Sequence, residues 1–223
     1  MRNVGEQSMV LADSLAQDLR QSILQDRSLS GICRAAAKWL ILTERLYAPL
    51  AQSFPDKKLD CAKGCSVCCK SLVNVRPIEA VFVAVHAQNN LPKEKLARVY
   101  GNLADTPYHC PLLIDDLCSV YEVRPHICRA YYSSNVKSCE AGFSCDRDQP
   151  LLTPSRYDFF FLQSCRSGDV VSQMLQKIGL QSDLVHLQTA LLQIFTTPDV
   201  IDYWLEGEAV FRLPAAQEKT AVG

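Results

Sequence analysis

The chain has 223 residues, 48% of them hydrophobic, and its 23 Lys and Arg balance 24 Asp and Glu for a formal net charge of −1. A chain of this size buries roughly 70% of the surface its unfolded form exposes, which excludes wholesale disorder and any need for covalent staples to compensate for a small core. The balanced charge and the lack of a long basic run give no electrostatic case for nucleic acid, and no apolar run approaches the ~20 residues of a membrane span or the h-region of an export signal.

Taken in chain order, the first expected element is a helix over 8–26, where Leu11, Leu15, Leu19 and Ile23 recur every four residues. A second helix is expected over 29–47, ending before Pro49 because the residue preceding a proline avoids helical angles. A polar break with the pair Lys57-Lys58 follows. Cys61-Ala-Lys-Gly-Cys-Ser-Val-Cys-Cys69 is too short and irregular for a helix, and Gly64 suits a tight turn. A short strand is expected over 72–75, then a helix opening at Pro77 with Ile78, Val81, Phe82 and Val85 inward, and another helix stopping near Gly101. Residues 110–121 read as a β-hairpin turning at Asp115-Asp116. A short helix is expected at Pro125, then a loop carrying Cys139 and Cys145, then helices over 155–165, 169–178, 183–195 and 198–205, with a frayed end. The fold class is mainly α: a helical domain with a small β-hairpin and a cysteine-rich metal-binding loop region. Three parts are expected: an N-terminal helical extension (1–57), a cysteine-cluster core (58–148) and a C-terminal helical part (149–223) packed on it.

Eleven cysteines are many for this length, and the odd number leaves one thiol over in any full pairing. With no export signal, a cytoplasmic location is expected, where a reducing milieu favours metal or redox chemistry over disulfides. The spacing is Cys61-x3-Cys65-x2-Cys68-Cys69, then Cys110-x7-Cys118-x9-Cys128. Cysteines two residues apart can wrap one metal because a turn aims both sulfurs inward. The three-thiolate loop suits a [4Fe–4S] centre, with Cys110, Cys118 or Cys128 as the distant ligand. The adjacent pair Cys68-Cys69 is awkward for one tetrahedral ion, because successive side chains in an extended chain point opposite ways. Thiolates suit zinc, iron–sulfur clusters and Cu(I) alike, so the metal stays open. Cys33 and Cys165, alone on helical faces, read as core residues; the roles of Cys139 and Cys145 stay open.

The string CAKGCSVCC followed by CPLL…LCSVYEVRPHICRAY resembles the CxxCxxCC cysteine-cluster family of zinc- or iron-chelating domains, which flagellin lysine N-methylase is similar to in this same cluster. The likeness runs from Cys61 to Tyr132, about a third of the chain, with Leu117 where a Gly is usual. It implies metal-ligand positions at Cys61, Cys65, Cys68, Cys69, Cys110, Cys118 and Cys128, and chelation more firmly than catalysis.

Glu122 with Arg124 can orient or charge-balance such a site, and Arg129 can neutralise thiolates. His109 and His126 flank ligand positions but read as supporting or exposed residues, since thiols already fill four positions. No Gly-x-Gly occurs among the nine glycines, which argues against a doubly wound cofactor domain. The expectation is a metal-binding protein holding zinc or an iron–sulfur cluster, with a metal ion or cluster and a protein as its partners and with neither nucleic acid nor membrane. The alternative is a flagellin lysine N-methylase-like or redox enzyme using the cluster.

Overall fold

The computed structural model describes residues 2–52, 60–105, 109–131, 133–142 and 158–212. Cys145, the Lys57-Lys58 pair, Tyr132 and the C-terminal end lie outside them.

Among the described residues the architecture is mainly helical, with two small two-stranded antiparallel sheets. Helices α1 (Arg2–Gln25) and α2 (Leu29–Gln52) pair first. The four-residue repeat of α1 puts Leu15, Leu19 and Ile23 in the core. Asp26 accepts from the Ser28 amide at 3.0 Å in the link between the two helices. Helix α2 runs on past Pro49, where the sequence predicts a stop. A proline ring fixes φ near the helical value, so Pro49 in the last turn removes one backbone hydrogen bond without changing the course of the chain.

Strand β1 (Asn74–Val75) leads through Arg76 into helix α3 (Pro77–Asn90), which starts at a proline as expected. Ile78, Ala80, Val81, Val83, Ala84 and Ala87 are all buried, so α3 is the central helix, packed on α2. Helix α4 (Lys93–Asp105) follows and buries Val99 and Leu103.

The hairpin β2 (Leu113–Ile114) and β3 (Leu117–Cys118) pairs Leu113 with Cys118. Its turn residues Asp115 and Asp116 have φ of 52° and 57°. A two-residue hairpin turn needs both in the left-handed region, which Asp tolerates better than other non-glycine residues except Asn. The Arg98 guanidinium holds Asp115 with two bonds of 2.7 Å, and Asn102 donates to the Pro111 and Leu113 carbonyls, so α4 carries the hairpin.

Helix α5 (His126–Ala130) begins after Pro125 as predicted. The expected loop beyond it contains helix α6 (Val136–Gly142), whose first turn is supported by Asn135 accepting from the Ser138 amide at 3.2 Å. Helix α7 (Asp158–Lys177) is continuous through Gly168, where the sequence suggests two helices. A mid-helix glycine costs about 1 kcal/mol, less than the burial of Val171, Met174 and Leu175 returns. A helix from 183 is also corrected: Val185–His186 forms strand β4, pairing with β1, and helix α8 (Leu187–Thr196) starts after it. Helix α9 (Val200–Leu205) buries Trp204, whose indole donates to the Gln181 carbonyl at 3.0 Å. No helix among the described residues is long and apolar enough to cross a membrane.

Candidate metal centre

Three separate segments bring the thiols together. The first turns at Gly64 with φ of +98°, open only to glycine without strain, and closes with the Cys65 amide on the Ala62 carbonyl at 3.0 Å. It then winds into a 3₁₀ turn, Val67–Lys70, that carries Cys68 and Cys69. The second is the hairpin, joined to the first by the Cys110 amide donating to the Cys69 carbonyl at 2.8 Å. At its tip Asp116 accepts from Ser66 at 3.3 Å and pairs with Lys70 at 3.6 Å. The third is α5, which carries Cys128.

Cys61, Cys65, Cys68, Cys69, Cys110, Cys118 and Cys128 all line one cavity of about 450 Å³. None of the seven is in a disulfide. They do not yet close on a point: among the described residues, no three Cys, His, Asp or Glu side chains are set as the ligands of one ion. The sequence-based set is thus gathered around a space rather than an atom.

The thiols feel one another. Burial pushes the Cys110 thiol up to about 12, and Cys118 and Cys68 add to it. Burial raises Cys128 strongly, reinforced by Cys110, Cys68, Cys118 and the carboxylate of Glu79. Cys118 and Cys61 are also raised, chiefly by burial. Cys68 goes the other way, down to about 7, because Cys69 hydrogen-bonds to it, aided by the Arg124 guanidinium; Cys69 is raised in return. A wall of half-buried thiols, most of them held from ionising by burial and by one another, is the charge pattern a bound cation would relieve, so the donor set fits a thiophilic metal.

Around this wall, buried Glu79 accepts from the amides of Arg76 at 2.8 Å and His126 at 2.6 Å. His126 is buried as a supporting residue: it stacks on Trp39 with ring centroids 4.9 Å apart and bonds Ser164 at 3.0 Å. Burial lowers its imidazole to about 3 and keeps it neutral. His109 is exposed. Glu122 turns outward to Lys63 at 3.1 Å instead of pairing with Arg124. Arg124 lies 3.9 Å over the Tyr121 ring and lines the cavity. Arg129 is buried, pairs with Glu44, and donates to the Arg124 carbonyl at 3.0 Å.

Two cysteines read differently in the structure. Cys165, expected to be a core residue, lines the large cavity from α7. Cys139, left open by the sequence, is buried on α6, which packs against the 3₁₀ turn, and its thiol donates to Ser133 at 3.1 Å. The sequence carried no distinctive signal for Cys139: ten residues separate it from Cys128, more than separate Cys118 from Cys128.

Residues 60–147 match the model of the CxxCxxCC family, described as a zinc- or iron-chelating domain. No curated protein and no solved structure gives a significant match.

Proposed function

We propose that this is a metal-binding protein that holds zinc or iron through Cys61, Cys65, Cys68, Cys69, Cys110, Cys118 and Cys128, working in a reducing compartment such as the cytoplasm. The observation that supports it is the gathering of all seven thiols, from three chain segments, onto one cavity. When bound, the metal would fix these segments to one another. The chain's own residues supply the rest: the thiols are the donors, Arg124 offsets thiolate charge, and the Glu79 bonds hold the α5 segment in place. Segment 58–148 is then the metal-binding unit, with 1–57 and 149–223 as its helical supports.

The test is anaerobic purification followed by elemental analysis and a visible spectrum. Stoichiometric zinc in a colourless protein, or iron with a charge-transfer band, is expected, and Cys118→Ser and Cys128→Ser should lower the content. A folded, reduced protein carrying neither metal sinks the proposal.

A second reading has its own observation. The cavity extends beyond the thiols to Arg76, Asp169, Leu184 and Leu187, and its volume falls in the range of small-molecule sites. That favours an enzyme of the flagellin lysine N-methylase-like or redox kind, with a substrate beside the metal. Saturable binding of a small molecule that perturbs the metal spectrum would support it.

A further inference from the structure

Nine described thiols line two adjoining cavities rather than one. The second, of about 20 Å³, is lined by Cys61, Cys65, Cys68 and Cys139, with Tyr131 and Ser133 beside them. Of these, Cys61, Cys65 and Cys68 also line the large cavity, whereas Cys69, Cys110, Cys118 and Cys128, with Cys165 from α7, line the large one only. The small cavity thus gathers four thiols around a space of its own, and only Cys139 faces it alone.

The backbone explains why adjacent cysteines separate. A 3₁₀ turn has three residues per revolution, so Cys68 and Cys69 leave the Val67–Lys70 turn about 120° apart. Cys61, Cys65 and Cys68 line both cavities and Cys68 takes a hydrogen bond from Cys69, so the two spaces adjoin along this loop. On the far side, the Asp60 and Cys61 amides both donate to the Ser133 carbonyl, at 2.9 and 3.1 Å. That fixes the start of the cysteine loop beside α6 and Cys139.

We infer that the chain carries two separate metal sites: a mononuclear site for one divalent thiophilic ion, zinc or ferrous iron, held by Cys61, Cys65, Cys68 and Cys139, and a second site held by Cys69, Cys110, Cys118 and Cys128. The inference rests on the metal-binding reading above and adds Cys139 as an eighth ligand. A space of about 20 Å³ is little more than one water-sized sphere, which suits a single ion and not a cluster. Four thiolates complete the tetrahedral shell of such an ion, so this site is closed and leaves no position for substrate. The four sulfurs must draw inward to reach it, since they are not at ligand positions now. Ser133, which accepts from the Cys139 thiol and donates to the Asn135 carbonyl, would then turn its proton to the thiolate.

The test is zinc titration of the metal-free, reduced full-length protein, with the stoichiometry read by elemental analysis after desalting and the ligand field read by cobalt substitution. The wild type should take two ions per chain. Cys139→Ser and Cys61→Ser, which reach the small site from different segments, should each take one, as should Cys128→Ser; Cys33→Ser, outside both sites, should still take two. Either small-site variant carries the test if the other fails to fold. One ion per chain in the wild type overturns the two-site inference alone. So does unchanged stoichiometry in both Cys139→Ser and Cys61→Ser, or complete loss of metal from Cys139→Ser and Cys128→Ser alike, which marks one shared polynuclear centre. No binding by the wild type overturns the metal-binding reading as well.

Discussion

The carboxylate of Glu79 stands on the backbone amide of His126, with Oε1 accepting at 2.6 Å across 47 positions of sequence. Its other oxygen accepts from the Arg76 amide at 2.8 Å. One buried side chain thus caps α3 and anchors the segment that delivers Cys128. Removing it strands two buried N–H donors, each costing about 1–3 kcal/mol. Glu79→Ala is expected to lose about 2–5 kcal/mol in urea unfolding, and Glu79→Gln less, because its amide keeps one acceptor oxygen. Equal losses in the two variants would show that the two carboxylate bonds do not carry the effect.

Trp39 is fully buried and stacks on His126, yet its indole N–H has no hydrogen-bond partner among the described residues. The ring stabilises and the N–H costs. Trp39→Phe keeps an aromatic ring and removes the unpaired donor, so its stability should stay within about 1 kcal/mol of wild type. Trp39→Ala should lose about 3–5 kcal/mol. Thermal unfolding of the pair checks this, and a Phe variant as weak as the Ala variant refutes it.

Gly168 and Gly101 should answer alanine in opposite directions. A Cβ at Gly168 would stand 2.5 Å from Nη1 of Arg76, whose side chain is 8% exposed and paired with Asp169 at 3.1 Å. Gly168→Ala must push this guanidinium aside and is expected to cost about 1–3 kcal/mol. At Gly101, inside α4, a Cβ meets nothing within 4 Å. Gly101→Ala should therefore gain about 0.5–1 kcal/mol from lower backbone entropy in the unfolded chain. Denaturant midpoints of both variants, at constant slope, are the measurement.

The hairpin tip gives a pH effect of known sign. Arg98 bonds Asp115 through both nitrogens and holds its carboxyl below the usual value. A carboxyl whose folded pKa is depressed stabilises the fold above its unfolded value of about 3.9, and that contribution is lost as pH falls through the folded pKa. The pair is exposed, so salt should weaken it. A carbon-detected NMR titration should place Asp115 below Asp residues without a cation beside them, and Arg98→Ala or high salt should return it to the ordinary range. An unshifted Asp115 in the wild type would contradict the geometry.

What the sequence by itself determined was local. The leucine period wrote α1, a proline opened α3, Asp115-Asp116 made the turn, and cysteine spacing marked seven thiols that meet on one cavity. Each rests on neighbours a few positions apart, where periodicity and turn chemistry act. Tertiary structure decided the rest. It carried α7 through Gly168, because packing outweighs a cost of this kind at one position. It drew Val185 into a strand by giving it a partner at Val75. It set Cys139 beside Cys61, put Cys165 on the cavity wall and hid Glu79 beneath α5. Spacing along the chain limits which thiols can share a turn, but which cavity each one faces depends on segments 50 or more positions apart being packed against one another.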